Sequence, residues 1–144
     1  MGYCMEQEAA VFNIKPSNFA PALAAIKTLK GQETVNDASG AHFRFVDARE
    51  FAKASSFPEM MRAWGWDLDL DLNEETGEIE RILNIEFMAE KLGDEEKLFN
   101  AIAPFVEPDS YIEMLGEDGT AWRWIFDGKT CKTCKEKKAT RSFD

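Results

Sequence analysis

The segment Asp67-Leu68-Asp69-Leu70-Asp71-Leu72 alternates acidic and apolar residues without a break. Successive side chains of a strand point to opposite faces, so as a strand this segment turns three leucines toward a core and three carboxylates outward. The polar stretch Asn73-Glu74-Glu75-Thr76-Gly77 follows, and then the apolar-rich segment 79–87. Two such segments around a polar turn predict an antiparallel hairpin, with strands over 66–72 and 79–87.

The rest of the chain supplies elements for that hairpin to pack on. Val11-Phe12-Asn13-Ile14 predicts a first strand within 3–14, running into Lys15-Pro16. Asn18 is placed to cap a helix carrying Phe19, Leu23, Ile26 and Leu29 at helical spacing, with Pro21 in its first turn and Gly31 as its stop. Residues 32–40 read as a polar loop and 42–46 as a short strand. Asp47 with Glu50, and Ser56 with Glu59, form two helix-start patterns. Phe57, Met60, Met61 and Trp64 then share one helical face ahead of Gly65. Gly93-Asp94-Glu95-Glu96 opens another helix with its acids at the positive end of the dipole, Leu98, Ala101 and Ile102 face inward, and Pro104 closes it. A meander follows over 111–115, 120–126 and a short last strand, with turns at 116–119 and 127–128. The order β-α-β-α-β-β-α-β-β-β predicts a single α+β domain, a mainly antiparallel sheet with about three helices packed on it.

The 144 residues are a one-domain length, and eleven Phe with four Trp argue against disorder. Three cysteines, an odd number, do not make a disulfide framework, in keeping with a reducing compartment. No apolar run approaches the roughly 20 residues that span a bilayer, and the first residues lack a secretion signal, so a cytoplasmic protein with no membrane partner is expected, as a monomer or small homo-oligomer. The formal charge of -10 is uneven. Residues 129–144 hold six basic and two acidic side chains, whereas residues 1–128 hold 11 basic and 25 acidic ones, a balance of -14. The expected division is thus an acidic domain over 1–128 and a basic tail, or last strand plus tail, over 129–144. An acidic body repels nucleic acid and attracts basic protein surfaces, although an acidic balance also serves plain solubility.

Asp67, Asp69 and Asp71 admit three readings. They solvate the outer face of a hairpin; or, with Glu74, Glu75, Glu78 and Glu80, they imitate nucleic-acid phosphates, since aspartates two apart on a strand stand about 6.6 to 6.8 Å from each other; or Asp67, Asp69, Asp71 and Glu78 take positions 1, 3, 5 and 12 of a calcium loop. Leu72, where that loop needs glycine, and Glu74, where it expects an apolar residue, weigh against calcium. Cys131 and Cys134 form a lone CxxC, a weak zinc signal that only the distant Cys4 and His42 complete, and nearby cations would equally favour reactive thiolates. Two ordinary thiols in a frayed basic tail is the simpler reading. His42, the single histidine, reads as a packed or surface imidazole. No phosphate-binding, dinucleotide-binding or zinc-hydrolase motif occurs, so no cofactor and no catalytic residue is assigned and a non-enzymatic protein is expected. Trp122, Trp124 and Phe126 fall on one face of their strand, a stripe better suited to the core than to contact.

At Ala101-Ile102-Ala103-Pro104-Phe105-Val106, Ser110-Tyr111-Ile112-Glu113, and Gly116-Glu117-Asp118-Gly119 through Trp122-Arg123-Trp124, the chain resembles a family of small, acidic, largely uncharacterised phage and mobile-element proteins. The resemblance covers most of residues 3–128, excludes the CxxC and the C-terminal lysines, and carries over no active-site residue. It implies a viral or mobile-element origin. With charge, size and missing catalytic motifs, the expectation is an inhibitor of a bacterial defence complex, anti-CRISPR or anti-restriction, acting in the host cytoplasm. Asp67, Asp69, Asp71, Glu74, Glu75 and Glu78 would meet its basic nucleic-acid-binding surface. The rivals are an accessory or regulatory interaction domain using an aromatic surface, and a small metal-binding protein.

Overall fold

A computed structural model of the chain describes residues 4–89 and 91–135. The strands among them are β1 (Met5–Val11), β2 (Val35–Asp37), β3 (Gly40–His42), β4 (Trp66–Leu72), β5 (Ile79–Phe87), β6 (Tyr111–Gly116), β7 (Ala121–Phe126) and β8 (Cys131–Lys135). The α-helices are α1 (Phe19–Lys27), α2 (Ala48–Lys53), α3 (Phe57–Ala63) and α4 (Glu95–Ile102), with 3-10 turns at Pro16–Asn18 and Ala103–Phe105. The fold is α+β, with antiparallel sheets throughout.

β1-β6-β7-β8 form a four-stranded sheet, while β2-β3 and β4-β5 are separate two-stranded hairpins. The sheet's inner face carries Ile112, Met114, Trp124 and Phe126 into a core shared with Phe12, Ile26, Phe57, Trp66, Ile85, Phe99 and Ile102. α1 packs on both α3 and α4. Gln7 joins β1 to the hairpin: its Nε2 donates to the Ile85 carbonyl at 2.8 Å, and its Oε1 accepts from the Phe87 N–H at 2.8 Å. Its amide thus takes a carbonyl and an N–H two residues apart on β5, the groups a neighbouring strand would engage.

Both helix-start patterns form. The Asp47 carboxylate accepts from the N–H groups of Arg49 and Glu50, and the Ser56 hydroxyl accepts from the Glu59 N–H. Asn18 precedes α1 without a capping bond from its side chain, because a 3-10 turn leads into the helix there. Two other expectations are corrected. The 32–40 loop contains β2, and the strand expected over 42–46 stops at His42. Phe45 takes the left-handed conformation (φ 62°), and Val46 N–H donates to the Phe43 carbonyl at 3.0 Å, so the chain turns. Phe43 and Val46 are buried three residues apart, leaving Phe45 56% exposed.

Candidate functional site

The alternation of β4 becomes a two-faced strand. Trp66 and Leu68 are buried and Asp69 is exposed, with Asp67 and Asp71 half-buried. On β5 the buried residues Ile82 and Ile85 are three apart, because the register shifts between Asp69 and Leu70 and leaves Leu83 out of the pairing. Leu83 is consequently 52% exposed, and Leu72 at the far end of β4 is 51% exposed.

The six sequence-predicted contact residues lie on this one hairpin, but they differ electrostatically. Asp67 meets Arg62 Nε at 3.5 Å and Asp71 meets Arg81 Nε at 3.0 Å. Such exposed pairs are worth only about 0.2–1 kcal/mol, yet each offsets a charge locally. Asp69, Glu74, Glu75 and Glu78 have no ion-pair partner among the described residues. The uncompensated charge therefore gathers at the turn.

Asn73 builds that turn. Its Oδ1 accepts from the N–H groups of Glu75 and Thr76, each at 2.9 Å, and its Nδ2 donates to Glu80 at 2.8 Å. Its backbone N–H donates to the Glu78 carbonyl, its carbonyl accepts from Gly77 N–H, and Gly77 holds φ 72°, where glycine avoids the steric cost of a Cβ. Glu74, Glu75 and Glu78 are thus presented on a fixed backbone.

The calcium reading is overturned by the same geometry. Asp67, Asp69 and Asp71 are spread along a strand instead of converging in a loop. Among the described residues no group of three or more His, Cys, Asp or Glu is placed to hold a metal.

The zinc reading and the frayed-tail reading also fail, because Cys131 and Cys134 lie in β8. Cys131 pairs with the inward residue Phe126 and Cys134 with the outward residue Arg123, so the two thiols point to opposite faces. Cys4 sits beside β1, at the opposite edge of the sheet. Burial foremost, then the negative charges of Glu96 and Asp127, push the Cys131 thiol up to about 12, which disfavours the reactive-thiolate alternative. Residues 136–144 of the basic tail lie outside the described residues.

His42 stands between two acceptors. Nδ1 is 2.9 Å from the Phe43 carbonyl and Nε2 is 3.2 Å from Asp37 Oδ2. Only the doubly protonated ring donates to both, so these contacts raise its pKa, while Ser39 and His42 hold Asp37 down to about 2. This ties β2 to β3 and leaves neither ring nitrogen unengaged.

A second feature was not legible as a site. An open cleft of about 450 Å³ beside α4 is lined by Leu92, Glu95, Glu96, Trp122, Trp124 and Lys135, together with Gly93, Asp118, Thr120 and Thr133. Of the aromatic stripe, Trp124 and Phe126 are core residues and Trp122 is partly exposed here. Glu95 is 5% exposed: Oε2 accepts from the Trp66 indole at 3.2 Å and Oε1 from the Gly93 N–H at 2.6 Å. Burial raises its pKa, and the two hydrogen bonds oppose that rise. Nothing in Gly93-Asp94-Glu95-Glu96 marks the third residue as the buried one.

Among the described residues no helix is long and apolar enough to cross a membrane. Compared with protein-family models, curated proteins and solved structures, the chain matches none.

Proposed function

We propose that this chain is a non-enzymatic protein-binding module that docks a basic surface of its partner through the β4–β5 hairpin. The observation that carries the reading is the tip: Glu74, Glu75 and Glu78 project from a backbone fixed by Asn73, without ion-pair partners among the described residues. Asp69 extends the charge along β4, and Leu72 and Leu83 add apolar contact area beside it. Charge of this kind accelerates and selects encounters with basic partners, while a few apolar groups hold the complex.

The sharper form of the reading is an inhibitor of a bacterial defence complex, whose acidic hairpin occupies a surface that otherwise holds nucleic acid. Support comes from the acidic balance of residues 1–128, the roughly phosphate-like spacing along β4 and the resemblance to phage and mobile-element proteins. Asp67 and Asp71, each paired with arginine, contribute less than Asp69 and the tip.

The test is retention of proteins from a bacterial lysate at low salt by the wild-type chain and by the triple reversal Glu74→Lys, Glu75→Lys, Glu78→Lys. A nucleic-acid-binding protein should be retained, should be displaced by added duplex DNA, and should bind the reversed chain roughly tenfold or more weakly. Raising ionic strength from about 0.01 to 0.1 M, which shortens the screening length from about 30 to 10 Å, should release it. Equal retention by the reversed chain would remove the hairpin tip from the interface.

A further inference from the structure

We propose that the cleft beside α4 binds a guanidinium group, the side chain of an arginine presented by a partner protein. Trp122 is partly exposed in the cleft, and the buried Trp124 ring stands edge-on to it, 88° apart with centroids separated by 6.1 Å. Glu95 and Glu96 line the same cleft. A partly exposed indole with carboxylates beside it is the chemistry that receives a cation, and tryptophan is the strongest aromatic partner for one.

Charge decides against other occupants. Among the described residues Glu95 and Glu96 bring two formal negative charges to the cleft and Lys135 brings one positive charge. The N-terminal end of α4 adds only about half a positive charge, so the balance stays negative and an anion is repelled. A plain apolar ligand would displace water from carboxylates without replacing its hydrogen bonds, at a net cost.

Size and shape choose among cations. About 450 Å³ is at the small end of ligand pockets and suits one long side chain rather than a large cofactor. A guanidinium is flat, so it can stack on the partly exposed Trp122 ring while its N–H fork reaches a carboxylate. An ammonium is compact and strongly hydrated and has no flat face to offer. Glu96 is the exposed acid of the pair and is positioned on the first turn of α4, next to the buried Glu95.

The inference deepens the reading of a basic partner and rests on it for the natural source of the arginine. The hairpin and the cleft are nonetheless separable. The probe is Nα-acetyl-arginine amide, whose only charge is the guanidinium, titrated into the 15N-labelled full-length chain. Nα-acetyl-lysine amide and Nα-acetyl-norleucine amide serve as comparators.

The Trp122 indole N–H resonance, identified by its loss in Trp122→Leu, should shift with the arginine compound about fivefold more strongly than with the norleucine compound, and more than with the lysine one. Glu96→Gln, at an exposed position, should weaken the response severalfold while lowering the thermal midpoint by no more than a few degrees, the loss of one acid at the helix start. The hairpin reversal Glu74→Lys, Glu75→Lys, Glu78→Lys should leave the response intact even if partner retention is lost. An equal response to norleucine, a stronger one to lysine, or none at about 50 mM arginine compound would overturn the assignment.

Discussion

The Trp66 indole N–H donates to the buried Glu95 carboxylate at 3.2 Å, tying the first residue of the acidic hairpin to the first turn of α4. Trp66 also meets Phe99 and Trp124 edge-on at 5.4 and 6.1 Å. The bond therefore sits where the hairpin, the helix and the main sheet converge.

Removing the donor while keeping an aromatic ring isolates that bond. Trp66→Phe should lower stability by about 2–3 kcal/mol, since a buried carboxylate loses one of its two donors. Trp64→Phe is the control, because the buried Trp64 Nε1 has no hydrogen-bond partner among the described residues, and should cost about 1 kcal/mol or less. Urea unfolding of both variants decides; equal losses would show that ring size, not the hydrogen bond, sets the cost.

Glu95 also gives stability a pH slope. Burial raises its folded-state pKa above the ordinary 4.5, so its contribution is fully present below pH 4.5 and is lost as pH rises through the folded-state value. Glu95→Gln has no such proton to lose. The stability of the wild type relative to Glu95→Gln should fall as pH rises above 4.5, measured by urea midpoints over a pH series. A difference that stays flat would place Glu95 in an ordinary carboxylate environment.

Gly93 is required by crowding. A Cβ there would stand 2.8 Å from the Arg44 carbonyl carbon and nearer still to its oxygen. Gly93→Ala should cost about 3 kcal/mol by forcing the two segments apart, whereas Gly77→Ala, with open space around it and only its φ of 72° to strain, should cost about 1 kcal/mol. Thermal or urea unfolding of the two variants gives the ranking directly, and the reverse order would contradict the packing.

The His42–Asp37 pair holds β2 against β3 over a defined pH window. His42 is raised above 6.5, so its contribution is complete below 6.5 and is lost as pH rises through its folded-state value. Asp37 is lowered to about 2, so its contribution is complete above 3.8 and is lost as pH falls toward about 2. Both act together between 3.8 and 6.5. An NMR titration should place the His42 midpoint above 6.5 in the wild type and lower in Asp37→Asn. An unmoved midpoint would mean that Asp37 does not bias the ring.

How much of this was readable in advance follows from the range of the forces involved. The β4–β5 hairpin was legible because alternation and turn chemistry act over neighbouring residues. The two helix starts at Asp47 and Ser56 were legible for the same reason, each depending on side-chain bonds within three residues. The bend at Phe45 was not, since Phe43-Arg44-Phe45-Val46 alternates like a strand while its backbone turns over. Glu95 and Glu96 are chemically identical in sequence; a tryptophan 29 positions away selects which of them is buried. The neutralising partners of Asp67 and Asp71 depend likewise on where α3 and β5 bring Arg62 and Arg81.

The Gln7 amide has a consequence for how copies of this chain meet. A sheet edge with free carbonyls and N–H groups invites a strand from another molecule, and β5 would offer such an edge at Ile85 and Phe87. One side chain closes it with two hydrogen bonds instead of a whole strand. The Gln7 side chain, with β1 lying alongside β5, therefore closes this stretch of edge to strand addition, outside the acidic run that dominates the sequence.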